Sequence, residues 1–145
     1  MNNPFIHLRS LSSYSLSEST LKITNLVDLA KKNDMPAIAI TDNNNMFGVF
    51  EFSKECVKNN IQPIIGTSIN LLDIIVNNQI SQVTFLVKNE IGYRNLLELS
   101  SLSHLNEGNN VGIYFSQLEK FSEGLFCYIG GELNPLLLLS KENKK

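Results

Sequence analysis

No sign of charge dominates this chain, and that absence excludes a good deal. Its 145 residues carry 12 Lys and Arg against 14 Asp and Glu, a net charge of −2. A domain that grips nucleic acid needs a basic surface for the phosphates, so no direct grip on DNA is expected. Long apolar runs are also missing. Even Leu125 to Ile129 and Leu136 to Leu139 are only five and four residues long, far short of the ~20 residues of a membrane span. The opening MNNPFIHLRS has no basic region followed by an apolar stretch and does not read as a signal peptide. A cytoplasmic protein without a membrane partner is expected. The two cysteines, Cys56 and Cys127, form no CxxC or Cys/His zinc pattern, and each sits in an apolar run. They are read as buried free thiols in a reducing compartment. There is no P-loop, no dinucleotide fingerprint and no Gly-x-Ser-x-Gly.

What is present suits one globular domain. The hydrophobic fraction is 43% and the charged fraction 18%, with asparagine and serine filling the gap, so disorder through high charge is not expected. Strand-like and helix-like segments alternate. Phe5 to Leu8 reads as a first strand, followed by a serine-rich loop over residues 10–19. Thr24 is placed to cap a helix with the stripe Leu26, Val27, Leu29, Ala30, ended by Asn33 and Pro36. Ala37 to Ile40 is a short apolar run of the kind buried on both faces in parallel sheets. A TDNNN loop leads to a helix over Met46 to Lys58, whose Phe47, Phe50, Phe52 and Val57 are read as core. A third strand spans Ile61 to Leu72, Asn77-Asn78 signals a turn, and a fourth strand spans Val83 to Val87. Asn89 caps a third helix with Leu96, Leu99 and Leu102 in register and Leu97 and Leu105 widening the stripe. Residues 106–110 form a loop, Ser116 caps a short helix, Leu125 to Ile129 is a fifth strand, and Asn134-Pro135 starts a last helix. Gly130-Gly131 reads as a tight turn.

This βαβαβ order predicts an α/β fold with right-handed crossovers and a mostly parallel sheet flanked by helices. Functional groups of such sheets gather at the C-terminal ends of the strands. His7 and Arg9 follow the first strand, Asp42 and Asn43 the second, and Ser68 lies in the third. A metallohydrolase needs several His and carboxylate ligands there. The chain has two histidines in all, His7 and His104, and His104 suits the C-terminal dipole of its helix. Each rim residue also has a plain reading: Asp42 as a loop or capping aspartate, His7 as a hydrogen-bonded structural residue, Arg9 as an ion-pair residue.

The ordered motifs FIHLR-x-x-SSYS, AIAITD-x-x-N-x-FG-x-x-EF (Ala37 to Phe52), IQPIIG, NEIGYRNLLELSS and EGLFCYIGG resemble the N-terminal PHP domain of the bacterial DNA polymerase III alpha subunit. The resemblance covers nearly the whole chain. It implies a partial PHP-type (βα) barrel over residues 1–140 with a polar tail at 141–145. Relatives include metal-dependent phosphoesterases. Other members have degenerate sites and act as scaffolds for the polymerase and its proofreading exonuclease. The family's first ligand pair, His-x-His-Ser, aligns with Arg9-Ser10-Leu11-Ser12. Its Asp-His aligns with Asp42-Asn43, and an acidic ligand aligns with Ser68. His7 stands where active relatives often have aspartate. His7, Arg9, Asp42, Asn43 and Ser68 are therefore expected to be a vestigial metal-site rim, with no metal, no cofactor and no catalytic residue. An Arg9–Asp42 pair is expected to stand in for the metal's charge.

The resemblance also implies a chain that stops about halfway through the domain, without the polymerase domains, as a split gene product, a designed fragment or a decayed frame. The expected function is a structural or interaction role in DNA replication. Partners are the remainder of the alpha subunit or other replisome subunits such as the proofreading exonuclease. The alternative is a metal-dependent phosphoesterase acting on a nucleotide or phosphate ester. An unpaired sheet edge is expected to leave the protein marginally stable or self-associating.

Overall fold

The computed structural model describes residues 5–76, 78–131 and 133–142. The elements run α1 (Ile23–Lys32), β1 (Ala37–Ile40), α2 (Val49–Lys58), β2 (Gln62–Val76), β3 (Gln79–Val87), α3 (Glu90–Leu105), α4 (Phe115–Lys120), β4 (Leu125–Tyr128) and α5 (Pro135–Glu142). They fall into two compact units, Met1–Thr67 and Ser68–Lys145. The four strands are ordered β1-β2-β3-β4.

In the first unit β1 is buried at all four residues and pairs in parallel with the start of β2, Ala37 opposite Gln62 and Ile40 opposite Ile65. The β1–α2–β2 crossover is the parallel unit the sequence predicts. Ile23, Leu26, Val27 and Ala30 of α1 pack with Ile38, Ile40, Val49, Phe52 and Cys56 in one core. Because Ile23 is buried in that core, α1 begins one residue before Thr24, and Lys22 takes the capping position without a side-chain bond. Leu29 faces outward.

Helix α2 carries two apolar stripes, and one of them is core. Val49, Phe52 and Cys56 point inward, while Phe50 and Val57, seven residues apart, lie on the other face and are 75% and 66% exposed. Phe47 precedes the helix and is exposed as well. The Lys54 ammonium sits 5.4 Å from the Phe50 ring centroid, a contact open to a cation at an exposed ring.

Residues 5–8 are not a strand. Yet His7 and Ser10 accept from the N–H groups of Ala39 and Thr41, at 2.9 and 2.8 Å, so this segment lies along β1 without a regular ladder.

The sheet is mostly antiparallel, not mostly parallel. A parallel crossover needs a dozen or more residues, and β2 and β3 are separated by only two. Of the predicted Asn77-Asn78 turn, Asn77 lies outside the described residues and Asn78 has a φ of 62°. Ser68 meets Thr84 and Asn70 meets Gln82, so partners run in opposite directions along the two strands. β3 and β4 are also antiparallel, with Thr84 opposite Tyr128 and Val87 opposite Leu125.

In the second unit Asn89 caps α3 as predicted, accepting from Gly92 N–H at 3.0 Å. Leu96 and Leu99 are buried, but Leu97 and Leu105 are exposed. Helix α4 starts at Phe115, not after Ser116, because the Gln117 side chain reaches back to the Tyr114 N–H at 2.9 Å. Asn134 caps α5 through the Leu137 N–H at 2.8 Å, with Pro135 as the first helical residue. Gly131 takes a left-handed φ of 86°. Residues 143–145 of the expected polar tail lie outside the described residues.

Two backbone segments approach closely in this unit, at Gly92 and Gly124. A Cβ on Gly92 would lie 1.8 Å from the Gly124 carbonyl oxygen, and Gly124 itself has a φ of 74°. Gly92→Ala should therefore cost about 3 kcal/mol by overpacking, against about 1 kcal/mol for removing the cap in Asn89→Ala. Urea denaturation of both variants checks this ranking, and equal losses would contradict it.

One of the two cysteines differs from expectation. Cys56 is buried, and that burial, with the Glu55 charge, pushes its thiol up to about 12; Cys127 is exposed. A thiol-titrating disulfide reagent should consume one thiol in the native protein and two after denaturation.

Candidate functional site

The predicted rim centres on Asp42. Burial of β1 continues through Thr41 into Asp42, which is 1% exposed. A carboxylate taken out of water must find donors or lose its charge. Three are supplied by the serine-rich loop. Ser12 donates through its N–H to Oδ1 at 2.7 Å and through its hydroxyl to Oδ2 at 2.6 Å. Ser15 donates its hydroxyl to Oδ1 at 2.6 Å. The Asp42 carbonyl accepts from the Thr67 hydroxyl at 2.7 Å. Ser12 and Ser15 are themselves buried.

The residues that follow Asp42 grip the same loop. Asn45 donates to the Tyr14 carbonyl at 3.2 Å and to the Asn43 carbonyl at 2.9 Å, and accepts from Phe47 N–H. A Cβ on Gly48 would come within 2.8 Å of the Tyr14 ring, so glycine makes room for it. Glu51 accepts from the Tyr14 hydroxyl at 3.2 Å and raises the tyrosine's pKa by that bond and by its charge. Asn43 donates its N–H to the Ser15 hydroxyl oxygen at 3.1 Å and its side-chain amide to Glu18, while its Oδ1 is buried without a hydrogen-bond partner among the described residues.

The other predicted rim residues are placed as follows. His7 and Arg9 are exposed and line a cavity of about 400 Å³ floored by Leu26, Ala30, Met35 and Ile38. The His7 ring stands edge-on to Phe5, with centroids 4.7 Å apart. Asp42 has serine partners where an arginine was expected, and no Arg9–Asp42 ion pair occurs among the described residues. Ser68 belongs to the second unit, where it is fully buried and its hydroxyl meets that of Thr84 at 2.8 Å. Ser12, Tyr14 and Ser15 lie in a stretch that reads from sequence as a plain loop, and Thr67 in one that reads only as a strand, so none of the four is marked there. The available signal was that the serines, three apart, and the aspartate fall in two motifs of the same resemblance.

Residues 7–144 match the family model of the PHP domain, and the chain belongs to that family. It is 41% identical over 149 residues to the DNA polymerase III subunit alpha of Rickettsia prowazekii, covering 99% of this chain and 12% of that protein. The chain thus spans about an eighth of the length of such relatives. Among solved structures it resembles an amidohydrolase from Chromobacterium violaceum, with a TM-score of 0.54 and 17% identity over 69% of this chain and 33% of that one. It also resembles a protein described as a metal-dependent phosphoesterase from Bifidobacterium adolescentis, with a TM-score of 0.51 and 17% identity over 69% of this chain and 32% of that one. These two likenesses concern the fold.

The residues present do not fit a resident metal. Among the described residues no three His, Cys, Asp or Glu side chains are grouped so as to hold an ion. The one buried carboxylate of the rim already accepts three hydrogen bonds from its own chain. Each such bond to a charged group is worth about 1.5–3 kcal/mol. Ser15→Ala should therefore lower stability by that amount in urea denaturation. A loss under about 0.5 kcal/mol, the usual range for surface substitutions, would show that the carboxylate does not depend on it.

Proposed function

We propose that this chain serves DNA replication as a structural and interaction module, a PHP domain of the DNA polymerase III alpha kind without hydrolysis of its own. The observation that carries the reading is the saturation of Asp42 by Ser12 and Ser15. In an aligned metal site that carboxylate would be turned to an ion. On this reading His7, Arg9, Asp42, Asn43 and Ser68 are remnants of ligand positions, and residues 1–140 constitute the PHP region.

The homology to the alpha subunit makes the remainder of that subunit the first partner, with other replisome subunits such as the proofreading exonuclease after it. The net charge of −2 argues against a phosphate grip by this segment. No helix among the described residues is long and apolar enough to cross a membrane, and a cytoplasmic location accords with work on the chromosome.

Metal analysis and a phosphodiester hydrolysis assay test the reading together. The protein purified with added manganese and zinc should hold neither at one per chain, melt at the same temperature with and without a chelator, and leave the ester intact. In a binding assay it should retain the remainder of the alpha subunit. Stoichiometric metal with hydrolysis lost in Asp42→Ala would instead establish a metal-dependent phosphoesterase.

A further inference from the structure

Residues 12–19 are fastened to the first unit almost wholly by polar bonds, and both flanks of the segment are fixed. Ser10 exchanges hydrogen bonds with Thr41, at 2.8 and 3.1 Å, and Leu21 packs against the core. The Ser13 N–H donates to the Leu21 carbonyl at 2.8 Å and the Ser19 hydroxyl to the Leu11 carbonyl at 3.0 Å, which closes the neck in the manner of an Ω-loop. Within the segment Ser12 and Ser15 are buried, each in a bond to Asp42, while Leu16, Ser17 and Glu18 are exposed. The Tyr14 ring rests near Gly48, yet the residue stays 38% exposed.

Two features weigh against this closed arrangement. Ser17 has a φ of 66°, in the left-handed region that residues other than glycine enter at a cost. Asn43 donates its N–H to Ser15, and its Oδ1 is buried without a hydrogen-bond partner among the described residues, which is also costly. Lifting the segment relieves both. It exposes little apolar surface, because the residues it uncovers are serines and a carboxylate that water can serve. The core of Ile23, Val27, Ile40 and Phe52 does not depend on it for cover.

We infer that residues 12–19 form a strap that lifts off Asp42 and closes again as one unit, while the core of the first unit stays folded. In the closed form the carboxylate is sealed. In the open form Asp42 and Asn43 face water at the C-terminal end of β1. Whatever binds that rim competes with Ser12 and Ser15 and is held by the open form alone, so the strap sets how much binding-competent protein exists.

Native-state hydrogen exchange of the full 145-residue chain in a urea series tests this. The N–H groups of Ser12, Ser13, Ser15, Glu18 and Ser19 are all hydrogen-bonded in the closed form. They should exchange through one shared opening and be less protected than the N–H of buried Ile61, which donates to the Cys56 carbonyl at 3.0 Å. Their protection should stay flat up to about 1 M urea while that of Ile61 falls, because urea promotes an opening in proportion to the surface exposed. Asp42→Ala removes the acceptor of three strap bonds. It should lower the protection of these five groups at least about tenfold and leave Ile61 protected, with unchanged circular dichroism. If that variant does not fold, the wild-type urea series decides alone. Strap groups without protection in the wild type, or with the protection and urea slope of Ile61, would overturn the inference.

Discussion

A buried negative charge organises the first unit. Transferring a carboxylate from water costs several kcal/mol unless it is met by donors, and Asp42 is met by three from the segment 12–15. This accounts for a loop that is inside out by hydrophobic rules. Ser12 and Ser15 are buried, while Leu16 between the loop's two halves is 83% exposed. Apolar burial does not hold this segment down. Hydrogen bonds to one aspartate do.

The same constraint explains why the stretch from Asp42 to Glu51 has its particular residues. Asp42, Asn45, Gly48 and Glu51 recur every third position, and each acts on residues 12–15: two hydroxyls, a carbonyl, a ring and a phenol. Read as a motif, this stretch suggests ligands. As structure, it is a clamp between the end of β1, the start of α2 and one loop. The stretch thus has a folding role of its own.

Local chemistry was legible where it is decided locally. The apolar run of β1, the Asn89 cap and the Asn134-Pro135 start are all settled within a few residues, and all appear as read. Choices that depend on distant partners were not legible. Helix α2 offers two apolar stripes, and only the position of α1 and β1 selects Val49, Phe52 and Cys56 over Phe50 and Val57. The sheet's direction was within reach, because a two-residue Asn-Asn connection admits a hairpin and no crossover. The alternation of strands and helices elsewhere outweighed it. At the site, Asp42 was found and its partners were not. Serines pairing across thirty residues leave no periodic trace.

The glycine pair at the start of α3 bears on how this sequence can change over generations. Gly92 has no space for a methyl group because Gly124 stands against it, and Gly124 meets Asn89 and the Gly92 backbone in return. Substituting one glycine cannot relieve the other, since each stands against the other's main chain. Drift can rework the exposed faces of α2 and α3 freely while this point of the second unit stays fixed, so it should be among the last places where divergent descendants of the chain still agree.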